Sequence, residues 1–169
     1  MNNLTTHQTI RISKLALMSF ISFVGLLMMY SNVTDYPTNY EYVAHILSMD
    51  TTRDKLKYGY RAITSPMLHH RIYWFIITLE VIYTVFCLMG TYQLYRQLNA
   101  STEAFHDAKK FALIGLLVAI FVYYICIRIV GIEWFNMDQS DAWNYDEWAT
   151  QILDFIFPAL IYISLKNEN

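Results

Sequence analysis

Long apolar stretches alternate with shorter polar segments along the chain, and this pattern predicts four membrane-spanning helices. The predicted spans cover about residues 13–31, 66–95, 104–132 and 149–165. Each apolar stretch approaches the roughly 20 residues that an α-helix needs to cross a bilayer. Because backbone polar groups cannot stay unpaired in lipid, each stretch must be helical. The sequence therefore predicts an all-α membrane protein, a four-transmembrane-helix bundle that forms a single integral membrane domain over residues 1–169.

The first loop, residues 32–65, is predicted to have structure of its own. Thr38 and Glu41 have the spacing of a capping box, in which each of the two side chains bonds to the other residue's backbone amide. Apolar residues follow at helical spacing from Val43 to Leu47. We therefore expect a short amphipathic helix in this loop, which either lies on the membrane or caps the bundle.

Two further polar segments contain signals for the start of a helix. Ser65 is followed by Pro66, and proline is well tolerated at the first helical position because its missing N–H would have no partner there. Ser101 begins a second cap-like segment, which predicts that the third helix starts before its apolar stretch does. Residues 133–148 form the remaining loop on the side of the first one.

The composition agrees with a membrane protein and excludes several classes of function. Hydrophobic residues make up 56% of the chain and aromatic residues 17%, which is more than a soluble domain of this size usually carries. The net charge is −2 and no block of basic residues occurs, so nucleic acid is not an expected partner. No catalytic motif is present, and the chain is predicted to be neither an enzyme nor a cofactor carrier. Cys87 and Cys126 fall about 13 Å apart in depth at 1.5 Å per residue, so free thiols are expected.

The distribution of lysine and arginine predicts the orientation of the bundle. Lysine and arginine are divided almost evenly between the two faces, but they are denser per residue on the face of Arg11, Arg96 and Lys110, and the loop 133–148 contains none. Because cytoplasmic loops are enriched in these residues, both termini are predicted to be cytoplasmic and the loops 32–65 and 133–148 extracytoplasmic. No small-residue cleavage motif follows the first apolar stretch, so it is expected to remain as an uncleaved anchor.

The four tryptophans fall near one predicted membrane boundary. Trp74 lies early in the second span, and Trp134, Trp143 and Trp148 bracket the third loop. Tryptophan is enriched at membrane interfaces, where its ring is apolar and its N–H stays hydrated. The alternative is that these rings form a packed lid. The aromatic segment around Trp134 could also present a groove to a quinone, a lipid or another membrane subunit.

Three ionisable residues, Glu80, Arg128 and Asp154, lie inside the second, third and fourth predicted spans. Their depths differ by only about 6 Å at 1.5 Å per residue, so they are predicted to meet. A charge at the centre of a spanning helix costs at least about 2.5 kcal/mol on insertion scales, and such residues usually pair inside the bundle. Two interpretations remain open: an ion-pair network that fixes helix register, or a site for a proton or cation.

Three histidines on the same predicted side are candidate metal ligands. His45 falls on the short amphipathic helix, and His69 and His70 fall at the start of the second helix. Imidazole is a common ligand for zinc and copper. Adjacent residues on a helix point about 100° apart, however, and none of the familiar metal-ligand spacings is present. Hydrogen bonding at the membrane interface is the alternative role.

Four sequence runs carry a family resemblance: Thr34–Tyr36, His45–Thr52, Tyr60–His70 and Glu133–Phe135. With these runs the chain resembles a bacterial family known only as predicted small integral membrane proteins of unknown function (domain of unknown function family 2165). The resemblance covers most of the chain and implies a location in the bacterial inner membrane and a four-span layout. It implies no activity, because none is established for that family.

These observations favour a non-enzymatic accessory or interaction subunit of a membrane complex, multi-pass in the inner membrane. Its expected partners are the lipid bilayer and either another membrane protein or further copies of itself. A second hypothesis is a small transporter or channel-like module that uses Glu80, Arg128 and Asp154 for a proton or cation. A third is a membrane protein that binds a metal or cofactor through its histidines.

Overall fold

The computed structural model describes residues 4–168, and throughout that range it contains helices and no strands. The helices are α1 (Thr6–Thr34), α2 (Tyr36–Ser48), α3 (Lys55–Tyr58), α4 (Pro66–Arg96), α5 (Thr102–Asp107), α6 (Lys110–Ile120) and α7 (Asp146–Ser164). Helix α6 continues without a break into a π-helix (Phe121–Trp134), and single 3₁₀ turns occur at Gly59–Arg61 and Met137–Gln139. The predicted all-α class is confirmed.

Within residues 4–168, three helical stretches are long and apolar enough to cross a membrane: Thr6–Thr34, Pro66–Arg96 and Thr102–Trp134, the last of which comprises α5, α6 and the π-helix. The fourth predicted span is also helical, as α7, but it is not among these three. Helix α7 is 19 residues long and carries Asp146, Glu147 and Asp154. Three carboxylates in so short a helix make it less apolar than the others, and the four-span count remains a prediction.

The ends of the bundle differ in what covers them. Helix α2 lies at one end, which we call the α2 end, together with the start of α4, the end of the π-helix and the start of α7. The opposite end, which we call the tail end, holds the start of α1 and the last residues of the chain. The first and the last residues that the structure describes therefore lie at the same end of the bundle.

The structure agrees with the predicted start of one helix, α4, and corrects the predicted start of another, α2. Pro66 occupies the first turn of α4 as the sequence predicts. The predicted capping box at Thr38 does not form, because the helix begins two residues earlier, at Tyr36, with a proline in its first turn. The Thr38 hydroxyl instead donates to the Asp35 carboxylate at 2.9 Å. The predicted short helix itself is present as α2 and ends at Ser48.

Helix α4 is the centre of the bundle and packs against α1 on one side and α6 on the other. Two glycines allow the contact with α6 to be close. A Cβ atom on Gly90 would lie 2.5 Å from the backbone nitrogen of Ala112, and one on Gly115 would lie 2.8 Å from the backbone nitrogen of Cys87. The helices therefore touch through their backbones in the tail half of the bundle. Cys87 and Cys126 are both free thiols.

A buried charge cluster closes the tail end, and we call it the tail clasp. The Lys14 ammonium donates to the Glu168 carboxylate at 2.6 Å and to the Leu165 carbonyl at 2.5 Å. The Lys109 ammonium donates to the same carbonyl at 2.8 Å and forms an ion pair with Glu168. All three charged side chains are buried. The clasp thereby ties the end of α7 to α1 and to the start of α6.

Candidate ligand-binding site

A cavity of about 890 Å³ lies beneath α2, and we call it the α2 cavity. Helices α1 and α4 and the π-helix form its walls, and α2 covers it. Most of its lining is aliphatic or aromatic, with side chains such as Val43, Ile46, Ile76 and Val130. Such a volume falls within the range of about 300–1,000 Å³ that is typical of small-molecule sites.

The cavity exists because α4 and its neighbour separate toward the α2 end. Helix α4 packs closely against α6, where Gly90 and Gly115 permit backbone contact, but it makes far less contact with the π-helix that follows. The π-helix packs against α7 instead. A π-helix has a different number of residues per turn from an α-helix, so the face it presents rotates away from that of α6. The space left beside α4 is the cavity.

Glu80 on α4 provides the polar floor of the cavity and is only 2% exposed. Its two carboxylate oxygens each accept one hydrogen bond, from the Asn32 amide at 2.6 Å and from the Tyr123 hydroxyl at 3.2 Å. The Tyr83 and Tyr123 hydroxyl oxygens are 3.0 Å apart. Met28 Sδ lies 2.9 Å from the Tyr123 hydroxyl, but a carboxylate is a stronger acceptor than a thioether, so Tyr123 donates to Glu80 and Tyr83 is the donor in the second contact.

Asn32 at the end of α1 connects this carboxylate to a second buried tyrosine. Its amide oxygen accepts from the Tyr73 hydroxyl at 2.7 Å while its amide nitrogen donates to Glu80. The two contacts fix the orientation of the amide, because a flipped group would place oxygen against carboxylate. Asn32 therefore connects α1 to α4 at two positions, Tyr73 and Glu80, which lie about two helical turns apart.

The three residues predicted to form an intramembrane charge cluster are not brought together. Glu80 bonds to Asn32 and Tyr123, whereas the Arg128 guanidinium donates to Asp146 at 2.7 Å near the start of α7. The Asp154 side chain is exposed. Among residues 4–168, Glu80 forms no ion pair with any Lys, Arg or His. The expected bridge from Arg128 to the other two residues is absent from that range.

The three histidines have three separate sets of neighbours. His45 lies 2.7 Å from the Asp50 carboxylate and stacks on Trp143, with ring centroids 4.3 Å apart. His69 is buried and donates to the Ile63 carbonyl at 2.6 Å. The His70 ring lies 2.7 Å from the Tyr36 hydroxyl. No group of three or more His, Cys, Asp or Glu side chains suited to a metal ion occurs in the part of the chain that the structure describes.

The tryptophans divide between the surface and the cavity. Trp74 is exposed on α4, and Trp143 packs edge-on against Tyr42 with ring centroids 4.7 Å apart. Trp134 and Trp148 line the α2 cavity and are also partly exposed. These two rings therefore lie where the cavity meets the surface. The boundary-belt and packed-lid interpretations both remain predictions.

The sequence pattern did not identify Asn32, Tyr73 and Tyr123 as site residues. Asn32 falls just beyond the first apolar stretch, where a polar residue merely marks the end of a span. The tyrosines are indistinguishable from the other 12 in a chain that contains 14. A usable signal is that a carboxylate inside an apolar helix needs hydrogen-bond donors, and Asn and Tyr are the uncharged donors available at that depth.

Comparison with known proteins gives one match. The model of the family described as "Predicted small integral membrane protein (DUF2165)" matches residues 10–166. Searches of curated proteins and of solved structures found no match. The matched range contains every residue that lines the α2 cavity, whereas Glu168 of the tail clasp lies beyond it.

Proposed function

Because the chain belongs to this family of predicted small integral membrane proteins, we propose that it is a non-enzymatic accessory protein that binds an amphipathic small molecule in the α2 cavity. The observation that carries the proposal is a large apolar cavity with one buried carboxylate at its floor. We further propose that it resides in the bacterial inner membrane as a four-span protein, with cytoplasmic termini and α2 on the extracytoplasmic side.

The chemistry of the walls supports binding of an amphipathic molecule. Ligand sites are typically apolar, with a few placed polar groups that orient the guest. Here the polar groups are concentrated around Glu80, and the aliphatic walls leave the rest of the cavity suited to a hydrocarbon body. Leu27, Phe75 and Trp134 both line the cavity and are exposed on the surface of the bundle. A guest could therefore enter sideways from the lipid.

Narrowing the cavity with an indole ring tests this proposal. Val43→Trp on α2 is expected to weaken saturable labelling by a photoactivatable diazirine-bearing dodecanol in lipid nanodiscs, because the larger side chain takes up part of the space beneath α2 that the alkyl chain would occupy. Labelling is measured by mass spectrometry of the cross-linked peptides. In the wild-type protein, saturable cross-links are expected on α2, α4 and the π-helix.

Phe20→Trp is the matched control, since Phe20 is exposed on α1 and lies outside the cavity lining. This variant is expected to keep the saturable labelling of the wild-type protein. Labelling that never saturates, or that is spread evenly over the exposed face of α1, would contradict the proposal. Such a pattern is what bulk lipid contact produces.

A second candidate role, binding to another membrane protein, is favoured by Asp154. In the proposed four-span protein, the exposed Asp154 carboxylate lies on the same surface of α7 as the exposed side chains of Phe157 and Ile161. An unpaired charge near the centre of a spanning helix costs about 2.5–3.5 kcal/mol on insertion scales. A neighbouring membrane protein, or a second copy of this chain, that donates hydrogen bonds to Asp154 would remove that cost.

Removal of this carboxylate tests the second role. Asp154→Asn is expected to dissociate a stoichiometric partner that co-purifies with the wild-type protein in mild detergent, because an amide carries no charge and has one acceptor oxygen where a carboxylate has two. Composition is measured by native mass spectrometry. Glu147→Gln, at an exposed carboxylate in the first turn of α7, is the control and is expected to keep the partner. A wild-type protein that is monomeric and without partner contradicts this role.

A further inference from the structure

We infer that the guest of the α2 cavity is a cationic amphiphile, an apolar body that carries an ammonium group and places it against Glu80. The inference rests on the proposed function, because it identifies the class of ligand for the same cavity. It goes beyond the proposed function by assigning a charge to the ligand and a residue that selects for it.

The first argument for a cation is the charge balance of the cavity. Of the described residues that line the α2 cavity, Glu80 is the only Asp, Glu, Lys, Arg or His. Its partners Asn32 and Tyr123 are neutral donors, and no cationic side chain of residues 4–168 pairs with it. A buried carboxylate without a counter-charge is costly unless it holds a proton, and a bound cation removes that cost while the carboxylate stays ionised.

The second argument for a cation is that the Glu80 carboxylate has unused hydrogen-bond acceptor sites. An ionised carboxylate offers about four lone-pair sites, and the two neutral donors use one on each oxygen. The remaining sites can accept from an ammonium group. Hydrogen bonds between an ionised acceptor and a charged donor are about twice as strong as those between neutral groups. The floor of the cavity is therefore organised for a donor that carries positive charge.

The third argument for a cation is the set of aromatic rings that line the same cavity as Glu80. Tyr73, Tyr145 and Trp148 line the cavity, and the last two rings have centroids 5.1 Å apart. Cations are attracted to the faces of such rings, most strongly where water is excluded. The nearby cation Arg61 is already held by the Glu133 and Trp134 carbonyls, at 3.1 and 3.4 Å, and it does not line the cavity.

The same geometry argues against an anionic guest. A fatty acid or an anionic headgroup at the floor would place a second negative charge beside Glu80, and like charges at short range are unfavourable. A neutral lipid chain would fill the walls but would leave the carboxylate without a counter-charge. These two guests are the alternatives that the test must distinguish from a cation.

Three probes with one tail and different heads provide the test. Diazirine-bearing dodecylammonium, dodecanol and dodecanoate are titrated against the protein in zwitterionic nanodiscs, and each dissociation constant is referred to the probe concentration in the bilayer. For the wild-type protein the ammonium probe is expected to bind on the order of tenfold more tightly than the alcohol, since a charge-assisted hydrogen bond replaces a neutral one. The carboxylate probe is expected to bind most weakly.

The variant Glu80→Gln is expected to remove the preference for the ammonium probe and to keep the binding of the alcohol. The matched control Glu147→Gln removes an exposed carboxylate at the same end of the bundle and is expected to keep the preference. The order of the three probes on the wild-type protein is informative by itself, so the test does not depend on the folding of either variant.

The outcomes separate the two proposals. Equal saturable binding of all three probes to the wild-type protein, or a preference that persists in Glu80→Gln, overturns the cationic ligand and leaves the proposed function standing. Labelling that does not saturate with any probe overturns the proposed function, and the inference with it. Tighter binding of the carboxylate than of the ammonium overturns the inference alone.

Discussion

Glu168→Gln is expected to lower the free energy of unfolding by about 3 kcal/mol, the low end of the range for removing one partner of a buried ion pair. Of the residues that the structure describes, Glu168 is the only carboxylate in the tail clasp, where it faces both Lys14 and Lys109. Without its charge, two buried ammonium groups converge on the Leu165 carbonyl. The low end applies because Glu168 lies in the non-helical segment that follows α7, so water can reach the lysines once this segment moves. Reversible unfolding in mixed micelles measures the change.

A surface ion pair at the same end of the bundle is the control. Lys166 and Glu103 are 3.5 Å apart and both are exposed. Exposed pairs contribute at most about 1 kcal/mol, so Glu103→Gln is expected to change the free energy of unfolding far less than Glu168→Gln. Equal effects of the two substitutions would contradict a structural role for the buried clasp.

The effect of Glu168→Gln is also expected to depend on pH. Burial would raise the pKa of Glu168, but its hydrogen bonds with Lys109 and Lys14 outweigh burial and hold that pKa below its ordinary value. A carboxyl with a lowered folded-state pKa stabilises fully above its unfolded pKa of about 4.3, and loses that contribution as pH falls through the folded value. The difference between wild type and Glu168→Gln should therefore be smaller in stronger acid than near neutral pH.

The sequence predicted the helices well because their signals are local. Pro66 marks the start of α4, and the predicted second span, 66–95, agrees with the observed Pro66–Arg96 to one residue. Helix α1 is longer than its predicted span of 13–31, because a capping box between Thr5 and Gln8 starts it in the polar region before the apolar stretch. Apolar length indicates which part of a helix suits the bilayer, whereas caps decide where the helix begins.

The sequence could not predict which charged residues would meet. Depth along a helix follows from counting residues, but the direction of a side chain depends on the residues per turn and on the rotation of each helix. Arg128 lies on the π-helix, where the 100° step of an α-helix does not apply, and it faces Asp146. On α7 the buried stripe runs through Leu153 and Ile156, so Asp154, one residue after Leu153, lies off that stripe.

The cavity itself was also beyond the reach of sequence patterns. An apolar side chain that faces an internal void follows the same periodicity as one that packs against a neighbour. Here the void depends on the divergence of the π-helix from α4, and no single residue signals that divergence. The tail clasp was missed for a related reason, since a polar tail after the last span ordinarily indicates solvated residues.

Asn32→Leu is expected to lower the free energy of unfolding by about 3 kcal/mol, because two buried groups each lose a hydrogen-bond partner at roughly 1–3 kcal/mol. The Asn32 amide accepts from Tyr73 at 2.7 Å and donates to Glu80 at 2.6 Å. The leucine side chain has a similar shape but can serve neither group, and Tyr73 keeps only its longer contact with the backbone carbonyl of residue 32, at 3.3 Å. Reversible unfolding in mixed micelles measures the loss, and a parallel titration with the dodecylammonium probe reports whether Glu80 keeps its place at the floor of the cavity.

Asn39→Leu provides the comparison, since Asn39 also lines the α2 cavity but bonds only to the exposed backbone carbonyls of Ser31 and Asp35, at 3.4 and 3.1 Å. Water can replace those contacts, so Asn39→Leu is expected to lower the free energy of unfolding by much less than Asn32→Leu does. An equally small loss for both variants would mean that water in the cavity already satisfies Glu80 and Tyr73. The floor would then be hydrated, and a ligand would have to displace that water before its charge could meet the carboxylate.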